Sequence, residues 1–228
     1  MEANTTSSTP LAAVVDLGFE VVRAETVTFA AVPTIAFGIR IACRSGHEIR
    51  SVMLSVQVQI AARRRTYGDE EEQRLLELFG TPDRWSTTLR TLLWTRTTQV
   101  VPGFTAETLV DLQVPCTYDF EVTAAKYLQA LGDGPVPLEF LFSGTVFYAA
   151  ENGTLQTAMI SWDSEADFNM PVQTWRETMD HYFPGSAWLR LDRNTFERLA
   201  AFRATNTLPS WQQTVNALLD RGELDGSG

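Results

Sequence analysis

The sequence is poor in the residue types that hold metal ions or act as nucleophiles. Its 228 residues include two cysteines and two histidines. Cys43 and Cys116 are far apart in the chain, and no CxxC pair or other metal-ligand spacing accompanies them. We therefore predict no metal and no other cofactor. Two isolated thiols are typical of a reducing compartment, so a cytoplasmic location is expected.

Long apolar runs are also missing. Nothing in the chain approaches the roughly 20 apolar residues of a membrane-spanning helix, so no membrane insertion is predicted. Residues 1–13 lack the basic start and the apolar stretch of a signal peptide and are expected to form a disordered tail. Residues 222–228 are expected to be flexible. The segment between them, 14–221, is predicted to be a single domain, with a β-rich core over 14–163 and a helical portion over 171–221.

Positive charge is scarce. The chain carries 28 acidic and 18 basic side chains, a formal net charge of −10. Because nucleic-acid binding depends on cations that neutralise phosphates, nucleic acid is excluded as a partner unless the positive charge is concentrated. The only cluster, Arg63 to Arg65, is followed at once by the acidic run Asp69 to Glu72.

The most regular stretch of the sequence, Val136–Trp162, is predicted to form a β-hairpin. Apolar residues recur at every second position, which is the pattern of a strand with one buried face. Asn152-Gly153 favours the turn, and Thr154–Trp162 is the return strand. Because so apolar a strand is hazardous at an exposed edge, we expect it inside a sheet with a partner on each side.

Alternating segments elsewhere bring the prediction to about seven strands. They are Phe19–Val27, Thr34–Cys43, Val52–Ala62, Thr87–Val101 and Thr108–Val114, in addition to the hairpin. The short connections favour antiparallel pairing over a doubly wound α/β sheet. The expected class is therefore mainly β, or α+β: an antiparallel β-sandwich or curved sheet with a helical insertion and C-terminal helices.

The helical insertion is predicted at Asp69–Phe79, which starts with acidic residues and is followed by glycine. Phe120–Leu131 is ambiguous, since its first residues also fit a continuation of the preceding strand. The C-terminal helices are predicted at Pro171–Phe183, Arg193–Thr205 with Asp192 as N-cap, and Pro209–Arg221.

Candidate catalytic residues have simpler structural interpretations. Cys116 follows an apolar strand; it is a nucleophile if a helix N-terminus lowers its pKa, but a buried thiol is the ordinary interpretation. His181 has no carboxylate in a position to orient it, because Asp180 points elsewhere on the helix. Lys126, the only lysine, is expected to be a solvated ammonium group rather than a Schiff-base lysine.

Aromatic residues in the C-terminal third are the candidates for protein interaction. Core packing accounts for most aromatics, but large rings near arginines also form protein-binding surfaces. The five candidate residues are Trp175, Tyr182, Phe183, Trp188 and Trp211.

Three long segments carry a family resemblance. RLLELFGTPDRWSTTLRTLLWTRTTQVVPGF, VDLQVPCTYDFEVTAAKYLQALGDGPVPLEFLFSGTVFY and YFPGSAWLRLDRNTFERL resemble an uncharacterised family of bacterial domains of unknown function, common in actinobacteria. The resemblance extends over roughly residues 14–219. It implies no activity and no catalytic residues. It does imply a genetic neighbourhood of [NiFe]-hydrogenase structural and maturation genes, and hence an accessory role, although the CxxC and His-rich sites of metal delivery are missing.

Three functions follow as hypotheses. The first is a non-enzymatic accessory, assembly or protein-binding protein, with hydrogenase subunits or maturation factors as expected partners. The second is an enzyme or small-ligand binder with a pocket between sheet and helices. The third is a structural subunit of an oligomer, whose state the sequence leaves open. Residues considered for the second function are Tyr118, Asp119, Lys126, Tyr148 and Asp163.

Overall fold

The computed structural model of the protein describes residues 15–116, 123–185 and 191–225. The described residues form two compact units, divided after residue 186. The first unit contains all the described strands and four helices, and the second unit contains two helices. The predicted helical portion is thus shared between the units. None of the described helices is both long enough and apolar enough to cross a lipid bilayer.

Two antiparallel sheets make up most of the first unit. One has three strands in the order β1–β2–β5, and the other has five, in the order β4–β3–β6–β7 with β8 also paired to β6. The strands are β1 (Leu17–Thr26), β2 (Thr34–Cys43), β3 (Glu48–Ile60), β4 (Leu92–Phe104), β5 (Glu107–Pro115), β6 (Pro135–Ala149), β7 (Leu155–Met159) and β8 (Glu165–Pro171).

The sheets bury their facing sides in one apolar core. Residues at every second position of β2, β3 and β6 are buried, as the period of two requires. Rings from the two sheets meet there: Phe19 stacks on Phe142 with centroids 4.3 Å apart, and Phe37 lies edge-on to Phe140 at 5.1 Å. Burying a ring completely, as at Phe37 and Phe140, stabilises the fold by about 1.5–3 kcal/mol. The predicted mainly β, α+β sandwich is confirmed.

Strand β6 lies in the interior of its sheet, as predicted for so apolar a segment. It pairs with β3 on one side and with β7 and β8 in succession on the other. The predicted return strand, Thr154–Trp162, is only the shorter strand β7, and β8, which follows it, was not predicted. Strand β7 ends at Met159 and β8 starts at Glu165, so the described strands number eight rather than seven. The turn between them lacks the glycine and proline that mark most turns.

Strand β4 differs from its predicted limits at both ends. It starts at Leu92, because the preceding residues Trp85–Thr88 form a helical turn. It continues through Pro102-Gly103, where an end was predicted, to Phe104. Proline is tolerated there because β4 is an edge strand, on which a backbone amide is not required at every position.

The helices are α1 (Asp69–Phe79), α2 (Trp85–Thr88), α3 (Thr123–Ala130), α4 (Val172–Tyr182), α5 (Arg193–Thr205) and α6 (Trp211–Asp225). The insertion helix α1 and helix α5 have the predicted limits, and α3 lies within the ambiguous segment. Helix α6 passes through Gly222, where its end was predicted, since an isolated glycine costs a helix only about 1 kcal/mol.

In the second unit, Asp192 caps α5 as predicted. Its Oδ1 accepts a hydrogen bond from the Thr195 amide at 2.9 Å, and its Oδ2 accepts one from Thr195 Oγ1 at 2.6 Å. These bonds lower the pKa of the Asp192 carboxyl. The guanidinium of Arg203 lies 4.6 Å from the ring centroid of Trp211, and Phe196 is 5.3 Å from the same ring. These contacts join α5 to α6.

Candidate functional site

Helix α4 begins directly after β8 and lies against β1 and β2. Its inner side is formed by Val172, Trp175, Thr178 and Met179, all of which are buried. Its last turn carries His181 and Tyr182, whose side chains reach the connection between β1 and β2. We call this connection, residues 27–33, the Phe29 loop.

Tyr182 holds the Phe29 loop at two points. Its hydroxyl donates a hydrogen bond to the Val27 carbonyl at 2.6 Å and accepts one from the Ala30 amide at 2.8 Å. Because the two backbone groups lie on opposite sides of Phe29, a single side chain fixes the backbone around this residue.

Two more side chains of α4 bind next to Tyr182. His181 Nε2 is 3.1 Å from the Thr28 carbonyl oxygen, and since a carbonyl only accepts, the proton is on Nε2. Thr178 Oγ1 donates to the Thr174 carbonyl, so it accepts the bond from Thr26 Oγ1 at 2.8 Å. The histidine that the sequence left without a catalytic partner therefore supports the loop.

The other end of the loop is bonded to the three-stranded sheet. Thr34 Oγ1 donates to the Val32 carbonyl at 2.9 Å, and the Cys116 amide donates to the Pro33 carbonyl at 2.7 Å. The Val27 amide donates to the Thr34 carbonyl at 2.9 Å. With four of its carbonyls and two of its amides bonded, the Phe29 loop has a fixed backbone.

This fixed loop exposes apolar side chains. Phe29 is 100% exposed and Val32 is 45% exposed. The loop carries no charged residue, although the chain as a whole has a net charge of −10. Transferring a phenylalanine ring from water to an apolar environment is favourable by about 1.5–3 kcal/mol. Phe29 gains this free energy only when a partner covers it. The arrangement is suited to inserting one aromatic ring into an apolar pocket of another molecule.

Three of the predicted interaction residues lie in or beside α4. Trp175 is buried against the sheets, Tyr182 is half-buried and bonded to the loop, and Phe183 is the half-buried residue that ends the helix. Trp188 lies outside the described residues. A protein-binding role for these residues stays a prediction; the geometry gives Tyr182 a positioning role behind Phe29.

Trp211, the fifth predicted residue, belongs to the second unit. It is 40% exposed on α6, beneath the guanidinium of Arg203. Other apolar side chains of this unit are exposed to a similar or greater extent: Phe196, Val215, Leu218 and Leu219. Its part in protein binding also stays a prediction.

The residues considered for an enzymatic pocket are not brought together. Lys126 forms an ion pair with Glu77 at an open depression of about 420 Å³ between α1 and α3. Tyr148 is buried and donates to Gln156 at 3.0 Å, and Asp163 lies in the turn before β8 and accepts from Ser161. Tyr118 and Asp119 lie outside the described residues. No set of convergent polar groups is formed by the three that are described.

A cluster of buried polar side chains connects α1 to the segment after α3. Arg65 Nη2 pairs with Glu71 Oε1 at 2.7 Å, and the Gly132 amide donates to the same oxygen at 2.6 Å. The Arg65 and Glu71 side chains are 7% and 11% exposed. Next to them the Tyr67 and Tyr127 hydroxyls are 2.7 Å apart, and burial raises the pKa of both phenols. Because these side chains are buried and line none of the cavities found among the described residues, we assign the cluster to stability.

Metal and thiol chemistry find no support in the described part of the chain. It contains no group of three His, Cys, Asp or Glu side chains placed to hold a metal ion. Cys116 is buried, and burial raises the pKa of its thiol to about 12. The interpretation of Cys116 as a core thiol therefore agrees with its surroundings, which oppose the thiolate that a nucleophile requires.

The sequence interpretation did not select Phe29. The available signal was composition: the connection between the two strands is VTFAAVP and contains none of the usual glycine, asparagine and aspartate. An apolar connection between two strands indicates either burial or binding. Only the structure distinguishes these, since it exposes Phe29 completely.

Comparisons with solved structures give only distant similarities. A CARDB domain of the PF1109 protein from Pyrococcus furiosus, described in complex with di-metal ions, is 12% identical over 69% of this chain and 93% of that chain, with a TM-score of 0.28. The putative ApaA protein from Bordetella pertussis is 15% identical over 68% and 93%, with a TM-score of 0.24. β-Glucosidase 3B from Thermotoga neapolitana is 10% identical over 68% and 17%, with a TM-score of 0.25. Scores this low support no functional inference.

Comparison with curated proteins finds no significant match. The sequence profile of one family, described as a family of unknown function, matches residues 14–226. This range includes both compact units and the Phe29 loop. The chain therefore belongs to this family, DUF6084.

Proposed function

We propose that the protein is a non-enzymatic accessory protein, which binds a partner protein by inserting Phe29 into an apolar pocket. The observation that supports this function is the complete exposure of Phe29 on a loop whose backbone is hydrogen-bonded on both sides of the ring. Aromatic side chains, phenylalanine included, are enriched in the buried cores of protein interfaces.

Preorganisation strengthens the argument. A mobile loop loses conformational entropy on binding, whereas a loop already held in one conformation loses little. Tyr182, His181 and Thr34 hold the Phe29 loop in the free protein. Most of the free energy gained by burying the ring is therefore available as affinity.

The loop also constrains the chemistry of the partner. Residues 27–33 are uncharged, so the pocket that receives Phe29 is apolar. The net charge of −10 on the chain favours a neutral or basic rim around this pocket. The hydrogenase gene neighbourhood that the family resemblance implies directs the search to [NiFe]-hydrogenase subunits and maturation factors, with the cytoplasm as the expected compartment.

The experiment compares three tagged forms of the full chain in the native cell: the natural protein, Phe29→Ala and Trp162→Ala. Trp162 is a matched control, because it is 94% exposed in the turn before β8 and carries an equally solvated ring. We expect the natural protein and Trp162→Ala to co-purify with the same identified partner and Phe29→Ala to lose it. With the purified partner, Phe29→Ala should weaken binding by roughly 30-fold or more.

Equal recovery of the partner by Phe29→Ala and the natural protein would refute the proposal. Binding of the natural protein, but not of Phe29→Ala, to neutral lipid vesicles without any protein partner would assign the ring to a membrane surface instead. Because both substituted rings are solvent-exposed, both variants should unfold at the same denaturant concentration as the natural protein, which excludes a folding defect as the cause.

A further inference from the structure

Strand β4 forms an edge of the five-stranded sheet. It has 13 residues and pairs with β3 along one side. No other strand in the described part of the chain pairs with it. On the side of β4 away from β3, every second residue presents an amide and a carbonyl that no described strand pairs with and that can bond to another extended strand.

The central part of β4 lacks the features by which proteins usually protect an edge, which are lysines, inward charges, prolines and bulges. From Thr95 to Val101 its sequence is TRTTQVV, and the single charge, Arg96, is bonded to Gln57 of β3. Other outer strands are protected. Strand β5 carries Glu107 and Asp111, and β7 has only five residues.

We propose that β4 pairs in antiparallel fashion with β4 of a second copy of the chain, about a two-fold axis at Thr98, so that two five-stranded sheets become continuous. This inference is independent of the function proposed for the Phe29 loop, which lies in the other sheet.

The register of this pairing follows from the limits of the unprotected segment. On one side, Trp94 has no partner on β3, because a bulge shifts the register between Val58 and Gln59. On the other side, Pro102 has no amide to donate. Positions 94 and 102 are equidistant from 98. A two-fold axis at Thr98 therefore places the bulge of one copy opposite the proline of the other and pairs all seven residues between them.

The side chains are compatible in this register. On the outer face, Thr98 lies opposite Thr98 and Arg96 opposite Val100 of the second copy. On the inner face, Thr97 lies opposite Gln99, a pair that can form a hydrogen bond. The faces are known because Thr97 and Gln99 pair with the buried residues Val56 and Leu54. In this register no two like charges lie opposite each other. An axis at Arg96 would instead place the two Arg96 guanidinium groups directly opposite each other.

An identical chain fits this edge better than an unrelated one. Threonine pairs and β-branched residues favour the pairing, and the two-fold arrangement satisfies both edges at once. Val100, which is 68% exposed, receives the aliphatic part of Arg96 from the other copy. Since two strands bury less area than a standard interface, a dissociation constant in the micromolar range is expected.

Sedimentation of the full-length chain over concentrations from about 1 to about 500 µM tests the proposal, since this range brackets the expected dissociation constant. We expect a monomer–dimer equilibrium. Thr98→Glu places two carboxylates opposite each other and should weaken the dimer at least tenfold. Ser143→Glu is the matched control, because Ser143 is exposed on the same face but lies on the interior strand β6. The Ser143→Glu variant should dimerise with the same dissociation constant as the natural protein.

A mixture provides the decisive measurement. Thr98→Lys alone should weaken the dimer to a similar extent, but an equimolar mixture of Thr98→Glu and Thr98→Lys should form a heterodimer, since an acidic side chain then lies opposite a basic one at position 98. If the two substitutions weakened the dimer by damaging the fold, mixing the variants would not restore dimerisation. A natural protein that stays monomeric over the whole range, a dimer unaffected by Thr98→Glu, or a mixture without heterodimer would each overturn the proposal.

Discussion

Tyr182 Oη lies 2.6 Å from the carbonyl oxygen of Val27, although the two residues are 155 positions apart in the chain. The same hydroxyl accepts the Ala30 amide at 2.8 Å. The end of a helix thus determines the shape of a loop between the first two strands, and with it the direction of the Phe29 ring. This contact relates the predicted aromatic residue Tyr182 to the exposed aromatic residue that the sequence did not reveal.

Replacing Tyr182 by phenylalanine removes both hydrogen bonds and keeps the ring. The Val27 carbonyl and the Ala30 amide lose their partner in a partly buried position, so the free energy of unfolding should fall by about 1–3 kcal/mol. Exchange of the Ala30 amide with solvent should accelerate, and binding of the partner should weaken because the loop is no longer preorganised. Urea unfolding measures the change in stability, and hydrogen exchange measures the change at the Ala30 amide.

Gln173→Ala, an exposed substitution on the same helix, is the control and should leave both measurements unchanged. If the Ala30 amide exchanged at the same rate in Tyr182→Phe as in the natural protein, the positioning role of Tyr182 would be contradicted.

Gly144, in the middle of β6, should not tolerate a side chain. Its φ of 141° is disfavoured for other residues, and a Cβ there would lie 1.9 Å from the Met53 carbonyl oxygen of β3. We expect Gly144→Ala to lower the free energy of unfolding by more than about 3 kcal/mol, because strain and steric overlap add. Gly68→Ala meets no atom within 4 Å at a negative φ and should cost less than about 1 kcal/mol. Similar denaturation midpoints for the two variants would show that β6 moves away from β3 at little cost.

The sequence predicted the strands that have one fully buried face. In β2, β3 and β6 the alternation is regular because every second side chain enters the same core. Strand β8 was missed even though Ala166, Phe168 and Met170 alternate with polar residues. The break before it, Ser161 to Ser164, contains no glycine or proline, so the sequence predicts that the preceding strand continues to Trp162.

The candidate site was less predictable because its contacts are distant in sequence. Tyr182 was selected as an aromatic near other aromatics, but its bonds to Val27 and Ala30 depend on how α4 lies against β1. Phe29 was indistinguishable from a core residue, since composition does not report exposure. Propensity and periodicity describe neighbours along the chain, whereas this site is formed by segments more than 150 positions apart.

Glu71 should be essential for stability, because it neutralises a buried arginine. Glu71→Gln removes the charge opposite Arg65 and weakens the bond from Gly132. An uncompensated buried charge typically costs about 3–5 kcal/mol, and we expect a loss of this order in urea unfolding. Glu70→Gln is the control on the same helix: its pair with Arg74 is solvent-exposed and should contribute less than about 0.5 kcal/mol. Equal losses in the two variants would disprove the role of the buried pair.

Cys116 should make the protein less stable at alkaline pH. Burial raises the pKa of its thiol from 9.0 to about 12 in the folded chain. Below pH 9 the thiol is protonated in both the folded and the unfolded chain. In this range its ionisation does not lower the free energy of unfolding. As the pH rises from 9 towards 12, the unfolded chain releases this proton while the folded chain retains it, so the free energy of unfolding falls by up to about 1.4 kcal/mol per pH unit.

Cys116→Ala isolates this effect from the other groups that titrate in the same range, among them Tyr127, whose pKa burial also raises. At pH 8 the variant should be less stable than the natural protein, because it leaves a small cavity. By pH 10.5 the difference should shrink by about 1–2 kcal/mol, because only the natural protein has a thiol that favours the unfolded state. Urea unfolding of both proteins at the two pH values measures the change.

Alkylation provides a second measurement. At pH 8 the partly exposed Cys43 should react with iodoacetamide in the folded chain and Cys116 should not. A difference in stability that does not vary with pH, together with rapid alkylation of Cys116, would show that the thiol is accessible and poised for chemistry rather than part of the core.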